Sequence, residues 1–477
     1  MNTLEKIRDD YINDLLIKQN LINDETQKNL FSKDDYECLL KPTLDAIKEN
    51  PDFTLEELRD IIFKNSGLED LVREFVYNKG LTPSLSIAYG TKNHKEFLSI
   101  GNVNNEKNAN FDTLYDIASV TKLFTSISIL KLSSLGIIDL NDKIGKYLPD
   151  FKNIADVTIL ELLTFNVPLI TDKRIDIASD YNEALDIIKS VRINTEFDNN
   201  KNPYTDLGAM VLKYVIEKVT NIGMYGFVYE NILKKASMND THIIIPENKL
   251  IRTASTNNIG YYYNDGNYRI RDNVALGMVN DEKAQILGQG AGELSGHAGL
   301  FSTSHDMSNL ALAMICGDIL DKSVITSMSE NKTGKKIGED IYRQYLGMLC
   351  YSKNPKQVDS EVYHPLSGKT LAIGGWTGCQ FTLDPLNQLY FFQGANRTNN
   401  RMAFIGSEKK SEIIKDDKGM ASIILPNGNK MVDATRFAWD RDSYIVHPAL
   451  RLSMCYDFLE KIYMVKENNF SEKRRNI

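Results

Sequence analysis

The sequence is poor in the residues that build disulfide frameworks and metal sites. It contains five cysteines, which are widely separated along the chain: Cys38, Cys316, Cys350, Cys379 and Cys455. An odd and scattered set suits reduced thiols better than a disulfide framework or a C-x-x-C metal site. The six histidines show no HExxH or similar ligand spacing. We therefore expect neither a catalytic metal nor another cofactor.

The chain also lacks long apolar runs and an excess of positive charge. No run reaches the ~20 apolar residues that a membrane helix requires. Residues 1–10 include acidic side chains where a secretory signal needs an unbroken apolar stretch. The formal net charge is −8, which offers no basic surface to nucleic acid. We therefore expect a cytoplasmic protein that binds neither a membrane nor nucleic acid.

Apolar residues are plentiful, at 42% of 477 residues, which is ample for a sizeable core. Short alternating runs around turn residues predict two β-hairpins: 85–89 with 96–100, and 380–383 with 389–392. A helical pattern lies between them. This arrangement favours one antiparallel sheet built from both ends of the chain, although unrelated hairpins in separate domains would have the same periodicity.

The first part of the chain has a helical pattern throughout. The segment 54–57 has the form of a capping box, and one helix face is marked by four apolar residues: Leu4, Ile7, Tyr11 and Leu15. We predict a helical extension over residues 1–65 and a main domain over residues 66–477. Because helices usually bury their apolar faces within their own chain, we expect the extension to pack on the main domain. A homodimer or partner contact through these helices is the alternative.

A serine and a lysine three residues apart can form an activated nucleophile. On a helix, residues at that spacing share a face, so the amine can lie against the hydroxyl. An amine kept neutral by burial can take the proton of the serine, which is otherwise too weakly acidic to attack a carbonyl. The chain contains four such pairs: Ser119/Lys122, Ser128/Lys131, Ser329/Lys332 and Ser407/Lys410.

Local context favours Ser119 among these serines. It opens an apolar run over 123–135, at a helix start where free N–H groups and the helix dipole can stabilise an oxyanion. Ser128 lies inside that run, where a serine most often bonds to its own helix backbone. Ser329 and Ser407 lie in polar stretches rich in lysine and glutamate. By position alone, an ordinary helix cap is an equally good interpretation of Ser119.

Further motifs follow Ser119 in a fixed order. They are YDIASVTK at 115–122, LGIIDL at 135–140, KYLP at 146–149, TILELLT at 158–164, PYTDLG at 203–208 and GHAGLFST at 296–303. Together they resemble the serine β-lactamase and penicillin-binding-protein-like family, particularly its class C-like and esterase-like branch. The resemblance runs from about residue 67 to about residue 465. It implies an α+β fold, in which an antiparallel sheet flanked by helices carries an inserted all-helical lobe and the active site lies in the cleft between them.

The resemblance also implies catalytic roles. Ser119 would be the nucleophile, and Lys122 and Tyr204 would share the task of general base, because a phenol whose pKa is lowered by a neighbouring ammonium can accept the serine proton. Asp206 stands where asparagine is more common. It either accepts a hydrogen bond from Lys122 or holds it charged, and the second effect would weaken the base. The backbone N–H groups of Ser119 and Trp376 would form the oxyanion hole.

Two positions depart from the family pattern. The third motif aligns with residues 373–375, where Ile373 replaces the usual lysine, histidine or tryptophan, and Phe165 replaces a customary turn histidine. An isoleucine cannot bind a substrate carboxylate as a cation would. His297, which lies among glycines, we expect to be structural. The residues expected against the substrate are Asp206, Ile373, Gly374, Gly375 and Trp376.

These patterns predict a serine hydrolase of the esterase, amidase or acyltransferase type. It would act through an acyl-serine intermediate on a small-molecule acyl substrate, and the absence of a cation at Ile373 disfavours classical β-lactam hydrolysis. The alternative is a protein of this fold that has lost turnover and binds a ligand or partner. The residues Ser119, Lys122 and Tyr204 favour the enzyme, whereas Ile373 and Phe165 favour the binding protein.

Overall fold

A computed structural model describes most of the chain. The described residues are 6, 39–43, 45–46, 49, 53–103, 107–256, 261–264, 267–270, 276–339, 341–354, 361–363, 366–399, 401–402, 414–415, 421–424, 430–433 and 442–475. The predicted helix face marked by Leu4, Ile7, Tyr11 and Leu15 lies outside these residues.

From residue 53 onward, the α-helices of the described residues follow one another toward the carboxyl end. They are α1 (Leu55–Ser66), α2 (Leu68–Arg73), α3 (Thr121–Ser134), α4 (Ile144–Tyr147), α5 (Ile159–Leu163), α6 (Tyr181–Lys189), α7 (Leu207–Thr220), α8 (Met224–Val228), α9 (Glu282–Leu287), α10 (Ser304–Cys316), α11 (Lys322–Met328) and α12 (Asp442–Arg475). Across the described ranges, none of these helices combines the length and the apolar content that a membrane-spanning helix requires.

A seven-stranded sheet lies at the centre of the fold. Its strands are β1 (Ser84–Thr91), β2 (Lys95–Val103), β3 (Lys107–Asn108), β4 (Tyr351–Ser352), β5 (Leu371–Gly374), β6 (Gln380–Asp384) and β7 (Leu389–Ala395). Their order across the sheet is β4-β5-β6-β7-β1-β2-β3, and every neighbouring pair is antiparallel. The α+β fold with an antiparallel sheet is therefore confirmed.

Short strands elsewhere form smaller sheets. Residues Tyr115–Asp116 pair with Phe301–Ser302, Leu169–Ile170 with Arg192–Ile193, Tyr261–Asn264 with Asn267–Ile270, and Lys336–Gly338 with Ile341–Tyr342. A four-stranded sheet contains Arg401–Met402, Ile414–Lys415, Ala421–Ile424 and Lys430–Asp433. The strand Tyr115–Asp116 lies directly before the turn that carries Ser119.

Both predicted hairpins are present and belong to one sheet. Strands β1 and β2 pair around the first turn, and β6 and β7 around the second. Strand β1 also pairs with β7, with Leu85 opposite Ala395 and Thr91 opposite Leu389. The two hairpins therefore do not lie in separate domains. Because strand side chains alternate between faces, Ala88 joins the core on one side of β1, whereas Ile87 and Tyr89 join the core on the other.

The described part of the extension lies on the same face of the sheet as α12. Helix α1 begins after Thr54, which forms the predicted capping box with Glu57. Its buried side chains pack into the core shared with α12, and Arg59 pairs with Glu96 of β2 at 3.1 Å and with Glu460 of α12. This face of the sheet is thereby covered by helices from both ends of the chain.

Helix α3 occupies the centre of the opposite core. Nearly every residue from Thr121 to Leu132 is buried, as expected for a helix that is surrounded by other elements. The helices α3–α11 lie between β3 and β4 in the chain, and their apolar residues share this core with one face of the sheet. The amino-terminal end of α3 thus lies between the sheet and the helical lobe.

Candidate active site

Ser119 lies in a strained turn at the start of α3. The turn is a 3-10 helix over Ala118–Val120, and Ala118 has a φ of 46°, in the left-handed region that alanine rarely adopts. The buried Asp116 carboxylate holds this turn: it accepts hydrogen bonds from the Ala118 N–H at 2.8 Å and from the Asn280 N–H at 2.6 Å. Burial raises the pKa of Asp116 to about 6, against the effect of these hydrogen bonds. Strained backbone of this kind is typical of functional sites.

Lys122 lies fully buried beneath Ser119. Its Nζ is 2.9 Å from Ser119 Oγ, 3.2 Å from the His297 carbonyl oxygen and 2.7 Å from Asp206 Oδ1. Burial lowers the pKa of Lys122 below its usual value, although the Asp206 carboxylate opposes this effect. A lysine whose neutral form is favoured in this way can accept the proton of the serine that it touches.

Tyr204 stacks with two other aromatic rings. Its ring centroid lies 5.1 Å from that of Phe165 and 5.7 Å from that of Tyr351. Lys122 Nζ lies 5.0 Å from the centroid of the Tyr204 ring. The Tyr204 phenol also shares a hydrogen bond with the Ser119 side chain. The predicted residues Ser119, Lys122, Tyr204 and Asp206 are thus brought together.

The protonation of Tyr204 differs from what we expected. Burial raises the pKa of Tyr204 well above its usual value, and the Asp206 carboxylate adds to the increase. The expectation of a phenol with a lowered pKa in the resting site is therefore wrong. The phenol remains protonated, so it is suited to donate a proton and to relay one, while Lys122 is the group suited to accept one.

The site contains a second lysine, Lys283, which sequence patterns did not indicate. Its positive charge lies between two carboxylates. Lys283 Nζ lies 3.0 Å from Asp206 Oδ2 and 3.0 Å from Asp281 Oδ2. Asp281 in turn lies 3.1 Å from His297 Nε2, and the Nδ1 of that ring lies 3.1 Å from Ser295 Oγ. Lys283 and Asp281 belong to an ordinary polar stretch at the start of α9, so no motif marked them.

The carboxylates of this cluster are already neutralised by lysines. Ligand atoms of Asp206, Asp281 and His297 lie within 4.8 Å of one another, which is close enough to share a metal ion. However, Asp206 is paired with both Lys122 and Lys283, and Asp281 is paired with Lys283. A metal ion would have to displace these ammonium groups. The described geometry of the cluster is thus a network of lysine–carboxylate ion pairs.

The end of β5 lies against the turn that carries Ser119. A Cβ added to Gly375 would lie 2.6 Å from the Ile117 carbonyl oxygen, so only glycine permits this approach. Thr377 Oγ1 also donates a hydrogen bond of 2.6 Å to the Asp116 carbonyl oxygen. These contacts hold the amide of Trp376 near the turn, and its part in an oxyanion hole stays a prediction.

The other residues of the third motif differ in exposure. Ile373 is fully buried in the core that contains α3, and Gly374 is partly exposed. Trp376 is 40% exposed, with the buried Arg397 guanidinium 4.7 Å from its ring centroid. Arg397 Nε also donates a hydrogen bond to the Trp376 carbonyl oxygen. The motif thus offers an apolar position at Ile373 and an exposed ring at Trp376.

The alternative serine–lysine pairs have other partners. Ser128 Oγ donates a hydrogen bond of 2.7 Å to the Phe124 carbonyl oxygen, within α3. Ser329 Oγ donates one of 2.8 Å to the Lys369 carbonyl oxygen, while Lys332 pairs with Glu330. The pair Ser407/Lys410 lies outside the described residues. Among the three pairs that the structure describes, only Ser119 and Lys122 hydrogen bond to each other.

Comparison with known proteins bears on the family of the chain. The sequence profile of the Beta-lactamase family matches residues 68–411, which is more than half of the chain. The chain belongs to the Beta-lactamase family. Members of this family include serine hydrolases such as β-lactamases and carboxypeptidases. The predicted family membership is therefore confirmed.

Individual relatives match a smaller part of the chain than the family profile does. A protein from Salmonella typhi, named provisionally as a D-alanyl-D-alanine carboxypeptidase, is 27% identical over 321 residues, which cover 62% of this chain and 72% of that protein. A Salmonella heidelberg protein with the same name matches to the same extent.

Solved structures of the family share the fold. A class C β-lactamase superposes with a TM-score of 0.51 at 14% identity, over 69% of this chain and 91% of that one. A class C β-lactamase from Rhodobacter sphaeroides has a TM-score of 0.50 at 16% identity, over 69% and 94% of the two chains. An octameric penicillin-binding protein homologue from Pyrococcus abyssi has a TM-score of 0.50 at 19% identity, over 69% and 72%. At these identities the likeness concerns the fold alone.

Proposed function

We propose that this protein is a serine hydrolase of the esterase, amidase or acyltransferase type, which acts through an acyl-Ser119 intermediate on a small-molecule acyl substrate. The observation that supports the proposal is the distance of 2.9 Å between Lys122 Nζ and Ser119 Oγ, with the lysine fully buried. Burial favours the neutral amine, and the neutral amine is the form that can activate the serine.

The reaction begins with proton transfer from Ser119 to neutral Lys122 as Ser119 Oγ attacks the acyl carbonyl carbon. The N–H groups of Ser119 and Trp376 stabilise the oxyanion that forms. Tyr204 donates its phenol proton to the leaving group and regains a proton from the Lys122 ammonium. Attack of water on the acyl-serine then gives hydrolysis, whereas attack of another hydroxyl or amine gives acyl transfer.

The substrate that we propose is a neutral acyl donor. Ile373 presents no charge and no exposed surface where the family usually has a residue that helps to hold an anionic substrate. The Salmonella relatives carry a D-alanyl-D-alanine carboxypeptidase name, which supports an amide bond as the point of attack. A carboxypeptidase substrate ends in a carboxylate, however, and the uncharged Ile373 argues against that charge in the substrate of this protein. Classical β-lactam hydrolysis remains disfavoured in this proposal.

Ligand binding without turnover is a second candidate function. It is favoured by Asp206 Oδ1, which lies 2.7 Å from Lys122 Nζ and stabilises the ammonium form of the lysine. An ammonium cannot accept the proton of Ser119. In this case the cleft would bind its ligand, and Ser119 would react with no acylating or phosphonylating probe.

The two candidates are distinguished by intact-protein mass spectrometry after incubation with a fluorophosphonate. We expect one adduct on the wild-type protein and none on Ser119→Ala. Ser128→Ala is the matched control, because Ser128 belongs to the neighbouring serine–lysine pair but bonds to its own helix. An unlabelled wild-type protein, or a Ser119→Ala variant that is still labelled, would overturn the proposed hydrolase.

A further inference from the structure

Asp206 lies between two ammonium groups that come from different parts of the chain. Its Oδ1 is 2.7 Å from Lys122 Nζ, and its Oδ2 is 3.0 Å from Lys283 Nζ. Lys122 lies on α3 next to the nucleophile, whereas Lys283 lies on α9. A carboxylate that faced Lys122 alone would strongly favour the charged form of this lysine, which is the wrong form for a general base.

We propose that Lys283 is a positioning residue of the reaction, which shares Asp206 with Lys122 and balances its negative charge, so that Lys122 can lose its proton although a carboxylate lies against it. The inference rests on the proposed function of Ser119 and Lys122. In this arrangement the Asp206–Lys283 pair carries no net charge and acts as a hydrogen-bonding partner of Lys122. Lys283 acts through Asp206 and Lys122 and does not itself contact Ser119.

The charges around Lys283 keep it in the ammonium form. Burial alone would lower the pKa of Lys283, but the carboxylates of Asp206 and Asp281 hold it above its usual value. Burial would likewise raise the pKa of Asp206, but Lys122 and Lys283 hold it well below its usual range. The Lys283 charge also acts on Lys122, where it lowers the pKa and opposes Asp206. A permanently charged Lys283 therefore favours a neutral Lys122.

Asp281, the second carboxylate that pairs with Lys283, helps to position this lysine. Asp281 caps the amino terminus of α9, where its Oδ1 accepts a hydrogen bond of 3.0 Å from the Ala284 N–H. The same oxygen lies 3.1 Å from His297 Nε2, and the His297 carbonyl oxygen lies 3.2 Å from Lys122 Nζ. A continuous series of polar contacts thus links the start of α9 to the nucleophile.

Several titratable or charged groups therefore influence the proton of Lys122, and a test must account for all of them. Those that act on Lys122 directly or through its partners are Tyr204, Asp206, Asp281, Lys283, His297 and Glu361. Of these, Lys283 and Asp206 can be made neutral with side chains of similar size. A pH profile of their variants reports on Lys122 and would not respond to a role in packing alone.

The test measures the rate of fluorophosphonate labelling of Ser119 as a function of pH. Because Lys122 must be neutral to act as the base, the rate rises as pH increases through the pKa of Lys122. Lys283→Gln removes the balancing charge and should raise this pKa. We expect the ascending limb to move to higher pH by about one unit or more, with a loss of about tenfold per unit at lower pH and a similar plateau at high pH. Lys283→Arg retains the positive charge, so its labelling rate should rise over the same pH range as that of the wild type.

Asp206→Asn provides the opposite perturbation, and it does not depend on the folding of Lys283→Gln. It removes the carboxylate that favours the ammonium, so its limb should move to lower pH. The double variant Asp206→Asn/Lys283→Gln replaces the ion pair with neutral groups, and its limb should return toward that of the wild type. Circular dichroism and thermal denaturation identify any variant that fails to fold.

The outcomes separate this inference from the proposed function. A wild-type protein that is not labelled at Ser119 contradicts the proposed function itself. If the wild type is labelled, two results overturn the role of Lys283: a limb in Lys283→Gln that coincides with the wild type, or a limb in Asp206→Asn that does not move to lower pH. An equal loss of rate at every pH in Lys283→Gln also overturns it, since that result indicates a structural role.

Discussion

Phe165 stacks on Tyr204, with ring centroids 5.1 Å apart and the ring planes at 23° to each other. Phe165 has a φ of 57°, a conformation that is uncommon for a bulky residue, and its side chain is buried. Tyr351 also stacks with Tyr204, in a nearly parallel plane at 2°. The residue that departs from the family's usual turn histidine thus belongs to a group of stacked rings that packs against Tyr204.

The role of Ser119 predicts a complete loss of acyl transfer chemistry in Ser119→Ala. The substitution removes only the attacking oxygen, so we expect no esterase activity on a short-chain aryl ester and an unchanged fold. Initial rates and circular dichroism spectra check this expectation. Equal activity in the variant and the wild type would show that another group is the nucleophile.

The roles of Lys122 and Tyr204 predict slower acylation when either proton-transfer group is removed. Lys122→Ala and Tyr204→Phe should each lower the acylation rate by about 10²-fold or more, the range typical of losing a positioned acid or base. Pre-steady-state kinetics with an aryl ester measure this rate. If both variants acylate at the wild-type rate, His297 becomes the first residue to test in their place.

The stacking contact of Tyr351 with Tyr204 predicts a smaller effect at Tyr351. Tyr351→Leu removes a ring contact of the kind that contributes about 0.5–1.5 kcal/mol, so imperfect positioning of Tyr204 should lower the acylation rate by about 2- to 10-fold. Tyr351→Phe keeps the ring and is the matched control. We expect it to acylate at nearly the wild-type rate, and an equal loss in both variants would argue against stacking as the cause.

The apolar position at Ile373 predicts a preference for neutral substrates. A penicillin carboxylate would lack a charge-assisted hydrogen bond worth about 1.5–3 kcal/mol, or about 10- to 150-fold in affinity. We expect a neutral aryl ester to have a higher kcat/KM than benzylpenicillin or a cephalosporin. Measurements with all three substrates on one preparation check this. Efficient β-lactam hydrolysis above the rate for the ester would contradict our placement of the third motif.

The close approach of β5 to the nucleophile predicts a steric effect at Gly375. A Cβ at Gly375 would meet the Ile117 backbone at 2.6 Å, and a backbone atom cannot move aside as a flexible side chain can. We expect Gly375→Ala to destabilise the protein by about 1–3 kcal/mol and to slow acylation. Gly368→Ala is the matched control, because a Cβ there would meet nothing within 4 Å. A Gly375→Ala variant with wild-type melting temperature and rate would contradict the reported contact.

The parts of the fold and site that sequence patterns predicted are those that depend on local spacing. Ser119 and Lys122 touch because they are three residues apart at the start of a helix. The two hairpins form because alternating residues flank a turn, and the capping box at Thr54 follows from a spacing of three. Ordered motifs added Tyr204 and Asp206 to the site. Each of these signals lies within a short stretch of the chain.

Only the tertiary structure decided which distant residues complete the site and how they ionise. Lys283, at the start of α9, pairs with Asp206, at the start of α7, and with Asp281, and no local pattern encodes the contact between these two distant parts of the chain. The pKa of Tyr204 is raised because burial and the Asp206 carboxylate outweigh the hydrogen bond with Ser119 and the Lys283 ammonium, whereas the sequence led us to expect a lowered pKa. Local spacing sets contacts within one helix or hairpin, whereas burial and long-range ion pairs exist only once separate elements have packed together.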